Sequence, residues 1–290
     1  MTDPPSAKPF RWNIARREQL GDLTATAPAT AYDGFVDDLR QAAAKVLARA
    51  RASELVFVGR SLESVFDYLS GALQSIDAAP SLTLLQFSCP RGTAAELAGK
   101  HPQELAALHA YLAAERLDPA ALASGGRRVA FVDVVSSGAT FATLAGLMHH
   151  WSRAAGVDFS AVLHHIAFLG VTEQRRTSPN TWRWWQRPPW SELAMKPATA
   201  STSVPYRFWA HVADGEAKVT PSHRLGDWGA PLPAAGMRNA EHMSALRRAA
   251  DLYDLGRTCD ERRRLARLLA AAPEMREEGV RSLARRLKGG

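Results

Sequence analysis

The sequence predicts an α/β protein with a doubly wound, mainly parallel sheet, and three stretches carry that expectation. Residues 55–58 (LVFV), 82–88 (LTLLQFS) and 129–132 (VAFV) are short runs rich in apolar residues without strict alternation. Strands covered on both faces have this pattern, because neither face meets water. The first and third run into turns of small residues and then into helix-like sequence. Strands that alternate with helices in this way build a sheet with helices on both sides.

Taken in chain order, residues 1–30 are rich in Pro, Ala, Thr and charge and are expected to form an arm or irregular strap. Residues 33–50 have alanine-rich helical character. The run at 55–58 is followed by a helix whose apolar positions include Leu62, Val65, Phe66 and Leu69. The strand at 82–88 stops at CPRG, where proline and glycine end regular structure. Residues 93–117 read as two helical segments, and SGG at 124–126 leads into the strand at 129–132. A helix follows from about residue 140, and AVLHHIAFLGV at 161–171 reads as a further strand. The expected core thus spans 31–175.

Beyond residue 175 the character changes. Six of the eight tryptophans lie between Trp182 and Trp228, among many prolines and without a repeat or clear helical period. Residues 176–234 are therefore expected to form an irregular lobe beside the core. The segment 235–290 reads as two or three helices, and residues 231–290 hold thirteen Lys or Arg against eight Asp or Glu. Interspersed acids, with pairs such as Asp260 and Arg264 at helical spacing, favour a solvated face over a nucleic-acid surface.

Composition bounds the function. At 290 residues, 46% hydrophobic and 22% charged, the chain can bury one sizeable core with length left for a small lobe. No run of about eighteen apolar residues exists and the N-terminus has no apolar signal region, so a cytoplasmic protein without membrane contact is expected. Cys89 and Cys259 are too few for a disulfide scaffold and suggest no zinc site. The pairs His149–His150 and His164–His165 lack further ligands at metal spacing, so no protein-held metal is expected.

The chemistry concentrates at RVAFVDVVSSGATF, residues 128–141. An apolar strand ends on one carboxyl, Asp133, and Ser136, Ser137, Gly138, Ala139 and Thr140 then lead into a helix. Small residues let backbone N–H groups approach an anion, hydroxyls add donors, and the helix dipole adds partial positive charge. The spacing is neither that of a P-loop nor that of a dinucleotide loop, so a monophosphate is the expected guest. Upstream, Gly59, Arg60 and Ser61 form a second strand-to-helix turn, where Arg60 offers a guanidinium fork to phosphate oxygens. A serine nucleophile elbow is disfavoured, because Glu63 stands where such an elbow needs glycine.

The stretch VDVVSSGAT resembles the phosphoribosyl pyrophosphate (PRPP) signature of type I phosphoribosyltransferases, which has two adjacent acids before the hydroxyl-rich loop. Val132 occupies the place of the first acid and Asp133 that of the second. The resemblance implies that residues Ser136, Ser137, Gly138, Ala139 and Thr140 hold the 5′-phosphate and that Asp133 lies under the ribose as the catalytic carboxyl. It further implies that Gly59, Arg60 and Ser61 bind pyrophosphate and that Mg²⁺ arrives on the substrate. Arg91 and Lys100 are weaker candidates for a mobile loop over the site. Trp182, Trp184, Trp185, Trp190 and Trp209 are candidates for stacking on a nucleobase beneath a hood. The expected function is transfer of ribose 5-phosphate from PRPP to an unknown nucleophile. The alternatives are a PRPP- or nucleotide-sensing regulator on the same fold that contacts nucleic acid, and an enzyme acting on another sugar phosphate. A homodimer is an open possibility, and nucleic acid is the less favoured partner.

Overall fold

The computed structural model describes residues 8–88, 92–175, 182–230 and 238–289. Five strands form one all-parallel sheet: β1 (Glu54–Val58), β2 (Leu82–Leu85), β3 (Val129–Val134), β4 (Ile166–Glu173) and β5 (Ala198–Val204). Their order is β2-β1-β3-β4-β5. The chain starts at β1, moves outward to β2, crosses back to β3 on the other side of β1, and then proceeds outward. The direction of winding therefore reverses between β1 and β3, which opens a crevice at their carboxyl ends.

The helices are α1 (Phe35–Ala50), α2 (Glu63–Leu73), α3 (Ala94–Lys100), α4 (Pro102–Ala114), α5 (Pro119–Ser124), α6 (Ala139–Ala154) and α7 (Phe159–Leu163). They continue with α8 (Tyr206–Ala210), α9 (Ala240–Arg257), α10 (Cys259–Ala270) and α11 (Glu278–Gly289). Alternation along the strands sends successive residues to opposite faces. Ala130, Val132, Leu169 and Val171 pack in one cluster with α1, α2 and the C-terminal helices, while Val129, Phe131 and Phe168 pack in the other with α4 and α6. The C-terminal helices are thus part of the core. Helix α9 lies so close to α2 that a Cβ on Gly71 would stand 2.0 Å from the Tyr253 carbonyl oxygen.

Several expectations need correction. The run 161–171 is not one strand: its first part belongs to α7, where the Asp158 carboxylate accepts the Ser160 N–H at 2.9 Å as an N-cap, and β4 begins only at Ile166. Both halves are apolar because both are packed, so burial concealed the boundary. β2 ends at Leu85, short of the expected residue 88, and the next N–H, that of Gln86, bonds to the Tyr111 hydroxyl at 3.2 Å. The segment read as an irregular lobe also supplies β5, paired with β4 from Ala198 to Val204. Strap residues Ile14 and Leu20 are buried against Leu246, Ala249 and Tyr253 of α9. In α10, Asp260 pairs with Arg263 at 3.6 Å and Arg264 with Glu261 at 3.7 Å, which displaces the Asp260–Arg264 pair. Among the described residues no helix is long and apolar enough to cross a membrane.

Candidate functional site

The crevice between β1 and β3 holds a cavity of about 260 Å³. Both loops singled out by sequence reach it. After β1, Gly59 takes a left-handed conformation (φ +72°) and donates its N–H to the Leu85 carbonyl at 2.8 Å, which delivers Arg60 and Ser61 to the cavity wall. After β3, Asp133 and Thr140 line the same wall.

The remainder of the second loop lies outside the cavity lining. Gly138 (φ +81°) is buried against Trp184, and a Cβ there would stand 2.6 Å from the ring. Trp184 also presses on Gly170 of β4 and donates its indole N–H to Ser201 Oγ of β5 at 3.0 Å. The loop is therefore seated on a fully buried indole wedged between two glycines. Ser136 and Ser137 are exposed; the Ser136 carbonyl accepts the Trp182 indole N–H at 2.7 Å, and Ser137 Oγ lies 3.4 Å from the Ala139 N–H.

Asp133 is 7% exposed. Burial pushes its carboxyl up to about 8, against the opposing pull of the Val134 N–H at 2.7 Å and of the Lys218 ammonium. An isolated carboxyl in this setting keeps its proton at neutral pH.

The third wall comes from residues 213–223, which no sequence motif marked. Lys218 Nζ donates to Glu216 Oε1 at 2.6 Å, to the Val212 carbonyl at 2.7 Å and to the Ser61 carbonyl at 3.3 Å, so it ties this segment to the first loop. Glu216 Oε2 accepts the Ser64 hydroxyl at 2.6 Å. Burial holds the Glu216 carboxyl above its ordinary range, with Lys218 and Ser64 opposing. Glu63 accepts the Val219 and Thr220 N–H groups at 2.9 and 3.1 Å, and Arg60 Nη1 donates to the Thr220 carbonyl at 3.2 Å. One Arg60 donor is thus spent on the wall, and the fork retains others for a ligand. His223 completes the lining. Burial lowers its pKa, its ring stands edge-on to Trp228 at 4.4 Å, and its buried Nε2 has no hydrogen-bond partner.

The other named candidates lie elsewhere. None of the five stacking tryptophans lines the cavity. Trp184 and Trp190 are 0% and 1% exposed and fill the core. Trp185 stands edge-on to Trp184 at 5.8 Å, and Trp209 packs against the opposite cluster. The guanidinium groups of Arg175 and Arg187 lie over the Trp182 ring, 4.2 and 4.7 Å from its centroid. Arg91 and Cys89 fall outside the described residues, and Lys100 is an exposed residue in the last turn of α3 that does not reach the cavity. His164 and His165 turn Nδ1 to the Ser160 and Arg127 carbonyls, and His149 stacks on Phe159. Among the described residues no three His, Cys, Asp or Glu side chains gather as a metal site.

The chain is an α/β protein with a five-stranded all-parallel sheet and a small polar cavity at the point where the winding reverses. No family model, curated protein or solved structure matches it.

Proposed function

We propose that this cavity binds PRPP with Mg²⁺ and that the protein transfers ribose 5-phosphate to a nucleophile with release of pyrophosphate. The observation that carries the reading is the convergence of two separately read loops, Gly59–Arg60–Ser61 and Asp133 with Thr140, on one cavity at the carboxyl edge of the sheet. Ligands of open α/β sheets bind at such reversals.

In this reading Thr140, in the first turn of α6, holds the 5′-phosphate, where the dipole of a sixteen-residue helix favours negative charge. The Gly59–Ser61 turn receives the pyrophosphate, with Arg60 and Lys218 supplying positive charge. Asp133 lies beneath the ribose. The donor set fits an ion brought by the ligand: Asp133 and Asp214 are the carboxyls in the lining, and Mg²⁺ otherwise takes phosphate and water oxygens. Ionisation of Asp133, favoured by that charge, places an anion near the carbon on which positive charge develops.

The neutral Asp133 carboxyl also supports the regulator reading, because its chain neighbour Val132 is 0% exposed and packed in the core where an acid would have added charge. Calorimetric titration of PRPP with Mg²⁺ into the protein and its Asp133→Asn and Thr140→Val variants tests binding. A pyrophosphate-release assay across bases and amines then separates enzyme from sensor. Absence of PRPP binding to folded protein refutes the transferase and a PRPP sensor, and leaves a nucleotide sensor to be tested by titration with nucleotides.

A further inference from the structure

Arg11 belongs to the N-terminal strap, distant in sequence from every residue of the candidate site, yet its side chain is only 12% exposed. Its Nη2 donates to both Asp67 carboxylate oxygens, at 2.7 and 2.9 Å, and its Nε donates to Thr220 Oγ1 at 3.2 Å. Asp67 lies in α2, which follows the Gly59–Ser61 turn, and Thr220 lies in the 213–223 wall. One guanidinium therefore spans the strap, the helix behind the first loop and the third wall. Hydrogen bonds from an ionised donor are the strong and directional kind.

Thr220 itself is 0% exposed and does not line the cavity. Its hydroxyl accepts from Arg11, its N–H donates to Glu63 Oε1 at 3.1 Å, and its carbonyl accepts from Arg60 Nη1 at 3.2 Å. A single buried residue thus joins the strap to the arginine that faces the cavity. Packing runs beside these bonds: Ile14 of the strap and Val219 of the wall are buried in one cluster, with Trp12 and Ala217 against it. Groups fixed before a ligand arrives bind it at a lower ordering cost. Without the strap, the Thr220 peptide and the Arg60 guanidinium lose one of the supports that fix them.

We infer that Arg11 is a positioning residue for the candidate site: the seated strap fixes Thr220, Thr220 holds the Arg60 guanidinium, and loosening the strap weakens binding in the cavity. The inference rests on the reading of the cavity between β1 and β3 as a ligand site.

The test uses the full chain and two variants. Thr220→Val removes the oxygen that accepts from Arg11 at similar volume, and leaves the Arg11–Asp67 pair and the backbone bonds of residue 220 in place. Arg11→Met combined with Asp67→Asn removes the guanidinium without stranding a buried carboxylate. Thermal melts establish that both variants are folded. Amide hydrogen exchange is followed without ligand, with the amides of β3 as the reference for global stability, and PRPP with Mg²⁺ is titrated by calorimetry. In both variants the amides of residues 219 and 220, which donate to Glu63, are expected to exchange about fivefold or more faster relative to β3. PRPP affinity is expected to fall about five- to tenfold. A purely structural role would move β3 and the wall together and leave their ratio unchanged. Unchanged relative exchange at residues 219 and 220 overturns the inference, and so does PRPP affinity equal in the wild type and both variants. A wild type that binds no PRPP counts against the PRPP reading alone, because the exchange comparison decides without ligand whether Arg11 positions the wall.

Discussion

Replacing Asp133 by Asn provides a direct measure of the environment in the candidate site. The folded carboxyl is raised to about 8 by burial, whereas an unfolded aspartate titrates near ~3.9. Between these values the native state holds a proton that the unfolded chain has released. Stability therefore falls as pH rises through this window, by about 1.4 kcal/mol per pH unit, and levels off above the folded value. Asn keeps an oxygen for the Val134 N–H and carries no titrating proton. The wild type is thus expected to lose about 2.7 kcal/mol more than Asp133→Asn between roughly pH 5 and 7. Other shifted groups, including Asp67, raised to about 6, and His211 and His223, both lowered, are common to the two proteins and cancel in the difference. Urea unfolding of both proteins at the two pH values gives the quantity directly. A pH dependence equal in the two within about 0.5 kcal/mol would refute the claim that Asp133 is neutral in the folded protein.

Gly138→Ala combines a left-handed backbone with a Cβ that meets the Trp184 ring, and roughly 2–5 kcal/mol of stability should be lost in urea melts. Trp184→Ala is expected to cost about 3–5 kcal/mol, whereas Trp182→Ala, at a partly exposed ring, should cost less than about 1.5 kcal/mol. Comparable losses from the two would contradict the assignment of Trp184 as the seat of the loop. Glu63→Gln places an amide N–H against the Val219 or Thr220 N–H, so about 1–3 kcal/mol should be lost on unfolding. The same variant should bind PRPP more weakly if the 213–223 wall shapes the site, and unchanged affinity by calorimetry would separate that wall from binding.

The strands β1 and β3 were legible because central parallel strands are covered on both faces and consist of uninterrupted apolar residues. Their following loops were legible because tight turns and anion approach demand glycine and small hydroxyl residues. β5 was not: Ala198–Val204, sequence ATASTSV, carries neither an apolar run nor strong strand propensity. It becomes a strand because β4 offers it a hydrogen-bonding edge and Trp184 bonds to its Ser201. The tryptophans advertised a specialised lobe, yet Trp184 and Trp190 serve the core that β5 completes.

The sequence by itself determined the α/β class and five of the residues that meet in the cavity, namely Gly59, Arg60, Ser61, Asp133 and Thr140. Local patterning suffices for that, since each loop follows its own strand. Only the tertiary structure decided that Lys218 and His223 close the cavity and that Glu63 fastens their segment. It also decided that Asp133 is stripped of water. Those properties arise from contacts between residues more than a hundred and fifty positions apart in the Glu63 case, and from desolvation, which depends on everything packed around a side chain.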